Sequence, residues 1–465
     1  MHAPAPGEPA PMPDVAPPAI HPRLNAIAGP ILGEFLLGMT VAMAGLWLAS
    51  HSSDEAGAAF GLVAQVQEAL AVIFRVLAIG LGVLIGQTLG AGQPERAKRS
   101  AMVALGAGTW AGLFALGWML FGASLTLDVL NAPATVVPLA APFMMMLAPV
   151  MLLDAYNLSM AAILRAHLHV RESLLVMVAM HLTHLLLAVP LMRGAGDWDG
   201  LGLDGYALAM LASRALGLGL HLALWRRKMQ LVPGARDWWS VPLPLLLPVL
   251  RIGLPGAAVE MVYRVGFMVS LAATARLGAA ALATHSYTLQ LLKYVLLVSL
   301  AIGWACEIMV GRLVGAGELA AADRLVRKGV RNGLLASGGF ALAFALAAPW
   351  LMRAFTRDPQ IVAAAQTLLW MSLALETGRV FNLVLAGALR ATGDVIVPAG
   401  ASMVSMALVM GAGSYVLSRL LGLPGIWFAY ALDEWVRGLV LLARWLSRSW
   451  LHSARATQRS VRGSG

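Results

Sequence analysis

Four stretches of this chain run for more than twenty residues without a charge. They are 28 residues between Arg99 and Asp128, 25 between Asp128 and Asp154, 21 between Arg331 and Arg353, and 24 between Asp394 and Arg419. A bilayer core offers backbone groups no hydrogen-bond partner, so a chain crosses it as helices of about 20 apolar residues. Runs of this length and number have no place in a water-soluble core. Charged residues make up 12% of the chain, roughly half the share of a soluble domain. The chain reads as an all-α polytopic membrane protein bedded in a lipid bilayer.

The second constraint is a repeat. Gly86-Gln-Thr-Leu-Gly90-Ala-Gly92 recurs 225 residues later as Gly311-Arg-Leu-Val-Gly315-Ala-Gly317. At the same offset Pro30 maps onto Pro255, and Leu164-Arg165-Ala166 onto Leu389-Arg390-Ala391. Landmarks at one spacing over so much of the chain imply two homologous halves. The apolar pattern places spans at 27–49, 58–85, 101–121, 136–163, 172–192, 204–225, 250–275, 281–310, 332–352, 361–388, 395–418 and 424–446. That is twelve transmembrane helices, as two six-helix bundles. With an even number per half, both halves enter from one side, and a pseudo-two-fold along the membrane normal relates them.

The expected organisation is a disordered, proline-rich cytoplasmic tail (1–26), a first bundle (27–226), a cytoplasmic linker (227–249), a second bundle (250–446) and a basic cytoplasmic tail (447–465). Orientation follows from Lys and Arg: 22 fall on the side of the termini and five on the other. This asymmetry puts both termini and the glycine-rich turns in the cytoplasm of a cell (inner) membrane. It also accounts for the +10 net charge without a nucleic-acid partner. Cys306, the one cysteine, reads as a small buried hydrophobe.

The order of these motifs resembles the multidrug and toxic compound extrusion (MATE) transporters, over about residues 27–446. In that family a proline sits early in each half, as Pro30 and Pro255 do, and a Gly-x-x-x-Gly-Ala-Gly-like turn ends the second span. A Leu-Arg-x-x-Gly-Asp turn follows the fourth span, matched by Leu389-Arg390-Ala-Thr-Gly393-Asp394. Each last span opens on a glycine signature, here Gly202-Leu-Asp-Gly205 and Gly422-Leu-Pro-Gly425. The first half departs from the pattern. Its turn reads Leu164-Arg165-Ala-His167-Leu-His169, and the place of the family's coupling aspartate, about fifteen residues after Pro30, is Gly45. Where relatives carry Asn and Asp in the fifth span, this chain has His181-Leu-Thr-His184.

Charges inside spans are the candidate site, because a mid-bilayer charge costs several kcal/mol unless paired or hydrated. Glu260 and Arg264 are four apart, Glu376 and Arg379 three apart, and Arg437 is within a turn of Asp433 and Glu434. Each set reads either as a self-neutralising structural pair or as one that opens to a competing proton or charged substrate. Asp154 and Glu34 have no opposite charge within a turn of their own span. Asp154 is the leading coupling carboxylate, or else the partner of a cation such as Lys293 or Arg75. Glu34 suits an interfacial role as well as a coupling one. Glu307 has Arg312 a little over a turn away. His181 and His184 share a face, and imidazole titrates near neutrality, so the pair is a candidate proton carrier. The methionines, Met144-Met-Met146 among them, read as packing or lipid-facing residues.

Together these imply a non-enzymatic, secondary-active efflux transporter. It would export a drug-like or metabolite substrate by proton- or sodium-coupled antiport, protons preferred, with alternating access, as a monomer. No cofactor, metal or nucleotide site is expected, since no Gly-Lys-Ser/Thr phosphate loop occurs. The glycine turns are scaffold. The buried cations Arg75, Arg214, Arg264, Lys293 and Arg379 leave open a lipid-linked saccharide flippase or a dedicated exporter of an anionic or zwitterionic metabolite. An intramembrane enzyme would need a convergent nucleophile or metal set that the sequence does not display.

Overall fold

Helices are what lipid demands, and the chain forms little else. The computed structural model describes residues 23–194, 197–353 and 355–462. The proline-rich segment 1–22 lies outside the described residues, and Leu24 already opens the first helix. The first half comprises α1 (Leu24–Ser50), α2 (Asp54–Gly90), α3 (Pro94–Phe121), α4 (Val137–Met146 and Ala148–Ala166), α5 (Val170–Arg193) and α6 (Gly202–Leu224). The second comprises α7 (Leu243–Ala275), α8 (Ala279–Ala316), α9 (Leu319–Leu346), α10 (Pro359–Ala391), α11 (Ile396–Leu421) and α12 (Leu423–Leu446). A further helix, α13, covers Trp450–Arg462.

Local chemistry sets the boundaries. The Ser53 side chain accepts from the Ala56 N–H at 3.0 Å, with Asp54 and Glu55 beside it at the positive end of the α2 dipole. Pro94 and Pro359 open α3 and α10, where a missing N–H costs nothing. Inside α4, Pro149 removes a backbone donor and crowds the preceding turn, and the helix bends by 47° there. Ten helices are long and apolar enough to cross a membrane, and bent α4 makes an eleventh span. The twelfth is α12, whose Asp433, Glu434 and Arg437 dilute its hydropathy but are all buried against protein. This is the expected all-α, twelve-helix, two-bundle architecture.

The halves exchange their first residues. Leu24, Ile27 and Ile31 of α1 are buried in the second half's core with Val310, Leu389 and Trp445. Val249 of α7 is buried in the first half's core with Leu105, Ile163 and Trp225. Between these exchanges α2 and α8 cross. A Cβ at Gly90 would overlap the Arg312 backbone and one at Gly315 the Gln87 backbone, while Gly86 and Gly311 face Ile308 and Val83 at ordinary contact distance. Only glycine permits so close an approach. Two side chains seal the crossing symmetrically. Gln87 Nε2 donates to the Ala391 carbonyl at 2.8 Å, and Arg312 Nε to the Ala166 carbonyl at 3.0 Å. Adding 225 turns Gln87 into position 312 and Ala166 into position 391, so each bond is the other's two-fold mate. Gly92 (φ 73°) and Gly317 (φ 86°) make the turns that follow, whereas the four earlier glycines serve the contact between halves.

The segments expected as a linker and a basic tail both carry structure. In 227–249 the chain leaves α6 through a π-turn (Trp225–Met229), forms a 3-10 turn (Ala235–Trp238) and enters α7 at Leu243. Thr109 Oγ1 donates to the Trp238 carbonyl at 2.5 Å, and Gly106 leaves room for the Ser240 backbone. Within the tail segment 447–465, α13 buries Trp450, Ala454 and Val461 and bridges both halves. Arg96 Nη1 donates to the Val461 carbonyl at 2.6 Å, Arg462 Nη2 to the Ala316 carbonyl at 3.2 Å, and Thr457 Oγ1 to the Thr392 carbonyl at 3.2 Å.

Gly90→Ala should therefore lower stability by about 1–3 kcal/mol, the usual cost of overpacking. Gly82→Ala, with nothing within 4 Å of the added atom, should be neutral or slightly stabilising through helix propensity. Thermal unfolding of the two purified variants in detergent reads the difference; equal midpoints would remove the close approach as a structural requirement.

Candidate functional site

The second half encloses a cavity of about 250 Å³. Tyr263 and Phe267 of α7 form one wall, with rings stacked 6.3 Å apart. Leu289, Leu292, Lys293 and Leu296 of α8, Leu375 and Arg379 of α10, Met410 of α11, and Tyr430, Asp433 and Glu434 of α12 complete it. Under the polar wall runs a chain of ion pairs. Arg379 Nη1 meets Glu376 Oε1 at 2.5 Å and Arg379 Nε meets Glu434 Oε1 at 3.1 Å. Glu434 Oε2 takes Asn382 Nδ2 at 2.9 Å and Arg437 Nη2 at 3.0 Å. Arg437 also holds Asp433 Oδ2 at 2.7 Å, and Ser405 caps Oδ1 at 2.7 Å. The sequence pairs Glu376–Arg379 and Asp433/Glu434–Arg437 thus form, but as one network between α10 and α12.

The first half contains the counterpart with its signs exchanged. Asp154 Oδ1 of α4 accepts from Arg214 Nε of α6 at 2.8 Å. Asp154 plus 225 is Arg379, and in the last span, where Gly202 aligns with Gly422, Arg214 plus 220 is Glu434. The fourth-to-sixth-span bridge occupies equivalent places in the two halves with opposite polarity. Asn157 plus 225 is Asn382, and both asparagines serve these bridges: Asn157 Nδ2 donates to the Arg214 carbonyl at 3.0 Å. Glu68 plus 225 is Lys293, a third reversal.

Between the halves, midway along both helices, α2 and α7 share a ring of alternating charge. Arg75 reaches Glu68 at 3.2 Å and Glu260 at 2.9 Å, and Arg264 reaches Glu260 at 3.0 Å and Glu68 at 3.5 Å. Glu260–Arg264 is therefore half of a four-membered set that ties one half to the other. Its members are partly exposed, so each pairing is weaker than a fully buried one.

Several expected roles change. Asp154 is not free, and its partner is Arg214 rather than Lys293 or Arg75. Lys293 instead lines the second-half cavity, its ammonium bonded only to Gln290 Oε1 at 3.1 Å. Glu34 is 3% exposed, too buried for an interfacial carboxylate, and pairs with Arg165 Nη1 at 2.9 Å. Glu307 is gripped by both Arg390 Nε and Nη2 at 2.8 Å, while Arg312 belongs to the α2–α8 seam. His181 and His184 are buried, and none of their four ring nitrogens finds a hydrogen-bond partner among the described residues. The His184 ring lies 4.6 Å from that of Tyr206. Gly45 has a physical reason to lack a side chain: a Cβ there would stand 2.7 Å from the Tyr206 hydroxyl and 2.9 Å from Phe60 Cζ. Aromatic rings fill the space a carboxylate would need. Among the described residues no group of three or more His, Cys, Asp or Glu gathers as a metal site.

Glu68, Tyr263 and the two asparagines were not identified as site residues from sequence, and Arg214 was named only as a buried cation bearing on substrate charge. The repeat offset carried the signal for Glu68 and the asparagines, since it lines up Asp154-Ala-Tyr-Asn157 with Arg379-Val-Phe-Asn382.

Comparison with known proteins agrees with this architecture. The MatE family model matches twice, over residues 30–189 and 255–438, once per half. The uncharacterized transporter YisQ of Bacillus subtilis is 28% identical over 435 residues, 93% of this chain and 96% of that one. A probable multidrug resistance protein NorM of Thermotoga maritima is 25% identical over 465 residues, 96% of this chain and 97% of its own length. The crystal structure of the Vibrio cholerae MATE transporter VcmN in its bent form superposes with a TM-score of 0.80 at 20% identity, covering 94% of this chain and 97% of that one. The chain belongs to the MATE family of membrane transporters.

Proposed function

We propose that this protein exports a small amphipathic molecule across the cell (inner) membrane by proton-coupled antiport, with the second-half cavity holding the substrate. The first-half cluster of Asp154, Arg214, His181 and His184 handles the coupling ion. One observation carries the division of labour: equivalent fourth-to-sixth-span bridges carry opposite polarity, and only in the second half does that bridge front the cavity described above. A carboxylate held by one arginine can exchange that partner for a proton, and the unpartnered imidazoles beside it have nitrogens to spare. The α2–α8 seam closes the end that carries the chain termini. The positive bias of the loops there supports a cytoplasmic location for it. The state described is then closed inward, and rocking of the halves about the seam would expose the cavity to alternate sides. The homologues' names, which include probable multidrug resistance proteins, support efflux. Sodium remains the second choice, because no cluster of oxygen ligands is apparent among the described carboxylates. A cavity lined by residues of a single half supports a working unit of one chain.

Purified protein in proteoliposomes, loaded with fluorescent dyes of either charge, should move at least one dye when a pH gradient is imposed and not when a sodium gradient replaces it. Absence of gradient-driven flux of any dye from folded protein would sink the antiporter reading. Asp154→Asn and His184→Ala should each abolish the dependence on the proton gradient; retention by both would remove the first half from the coupling mechanism. Asp154→Asn also strands Arg214, at a stability cost of about 3–5 kcal/mol for a fully buried pair and less here, since Asp154 is 30% exposed. The exchange Asp154→Arg with Arg214→Glu, which copies the second half's polarity, should recover most of that stability but not the coupling. Thermal unfolding and flux on the same preparations separate the two effects.

A further inference from the structure

We propose that the second-half cavity is an anion-recognition site. In it Lys293 Nζ and Arg379 Nη2 hold a carboxylate or sulfonate whose aromatic or apolar body lies against Tyr263, Phe267 and Tyr430. This rests on reading the cavity as the substrate site and specifies the substrate's chemistry.

What the wall has left to offer a ligand is donors, not acceptors. Both carboxylates in the lining are spent. Glu434 accepts from Arg379, Asn382 and Arg437, and Asp433 from Ser405 and Arg437. A cationic substrate would have to displace an arginine from one of them. The donors are not spent. Arg379 commits Nε and Nη1 to Glu434 and Glu376, and its Nη2 has no hydrogen bond to a described residue. Lys293 gives one bond to a neutral amide one turn back and has no carboxylate partner among the described residues. An ammonium within a membrane span without a counter-ion is costly unless something anionic or water meets it. The first-half position equivalent to Lys293 is Glu68, which has two arginine partners. Of this equivalent pair, then, only the residue that borders the cavity lacks a partner.

Size and surface narrow the ligand. About 250 Å³ is below the roughly 300–1,000 Å³ of pockets for drug-sized ligands. The stacked Tyr263 and Phe267 rings and Tyr430 offer flat apolar walls. A small aromatic acid meets these terms, and so does the anionic headgroup of a lipid with its chain lying outside.

The test is calorimetric titration of the full chain in nanodiscs of phosphatidylcholine. Three naphthalene probes of similar shape are used: 1-naphthylacetate, the neutral 2-(1-naphthyl)ethanol and the cationic 2-(1-naphthyl)ethylammonium. The acid should bind best. Lys293→Gln should weaken the acid about tenfold to a hundredfold, the range for a charge-assisted hydrogen bond, and leave the alcohol unchanged, while Lys293→Arg should retain the acid. Lys293 lies at an exposed position, so its replacement leaves the packing intact. Repeating the titration in phosphatidylglycerol nanodiscs separates the sources. Undiminished acid binding assigns the site to a soluble anion, and competition that vanishes in Lys293→Gln assigns it to a lipid headgroup. Preference for the ammonium, no binding of the acid in either lipid, or an acid affinity indifferent to Lys293→Gln would each overturn the proposal. No gradient is used, so acid binding without transport would refute only the antiporter reading, and cation flux without acid binding only this one.

Discussion

The structure depends on one close contact, the crossing of α2 and α8 at Gly86, Gly90, Gly311 and Gly315. Each half presents the same surface to the other, as a two-fold interface requires, and at Gly90 and Gly315 backbone meets backbone where any side chain would hold the halves apart. In lipid no hydrophobic drive pulls helices together, so close packing and interhelical hydrogen bonds must do it. Gln87 and Arg312 supply those bonds by reaching carbonyls at the ends of α10 and α4. The exchange of Leu24–Ile31 and Val249 between the cores makes the contact hard to dissolve and easy to pivot upon.

On this symmetric frame the chemistry is antisymmetric. The same two span positions carry Asp154 with Arg214 in one half and Arg379 with Glu434 in the other, and Glu68 answers Lys293. The frame tolerates this because an ion pair satisfies the packing in either polarity. What it presents to a ligand is decided by the donors and acceptors left over. The first half has filled its interior with Phe60, Phe143, Tyr206 and His184, at the cost of the carboxylate position at Gly45. The second half keeps a cavity over its bridge.

How far this was legible in the sequence depended on whether an interaction runs along one helix or between two. Helix count, the two halves and pairs such as Glu260–Arg264 follow from spacing within a span, and all are present. Asp154–Arg214, Glu34–Arg165 and Glu307–Arg390 join residues 60, 131 and 83 positions apart, and no periodicity within a span reports them. The glycine turn reads as scaffold that lets two helices approach closely and reverse direction; Gly90 makes that approach to the other half and Gly92 the reversal. The repeat offset held more than was drawn from it: applied to charged residues it exposes the sign reversal before any coordinates. The anchoring of segments 227–249 and 447–465 was not legible because Trp238 and Val461 engage through backbone carbonyls, which composition does not record.

The seam also bounds the energetics of transport. To carry such a protein from about 1:99 to 99:1 between two states, ligands must favour one state by roughly 5.5 kcal/mol. Opening the seam breaks the Gln87 and Arg312 bonds and strips α13 from one half, where Arg96 and Arg462 hold it to both. At about 0.5–1.5 kcal/mol net per bond, the two seam bonds and the one that ties α13 to the half it leaves come to roughly 1.5–4.5 kcal/mol, a large part of that sum. The proposed proton on Asp154 would act on none of them directly; it would release Arg214 from its bridge, which lies apart from the seam bonds. Glu68 belongs to the ring with Arg75, Glu260 and Arg264 and is the charge-reversed counterpart of Lys293, so a change of partner there alters the attachment between α2 and α7. On the proposed function, this ring is where ion and substrate would each bias the same two-state element.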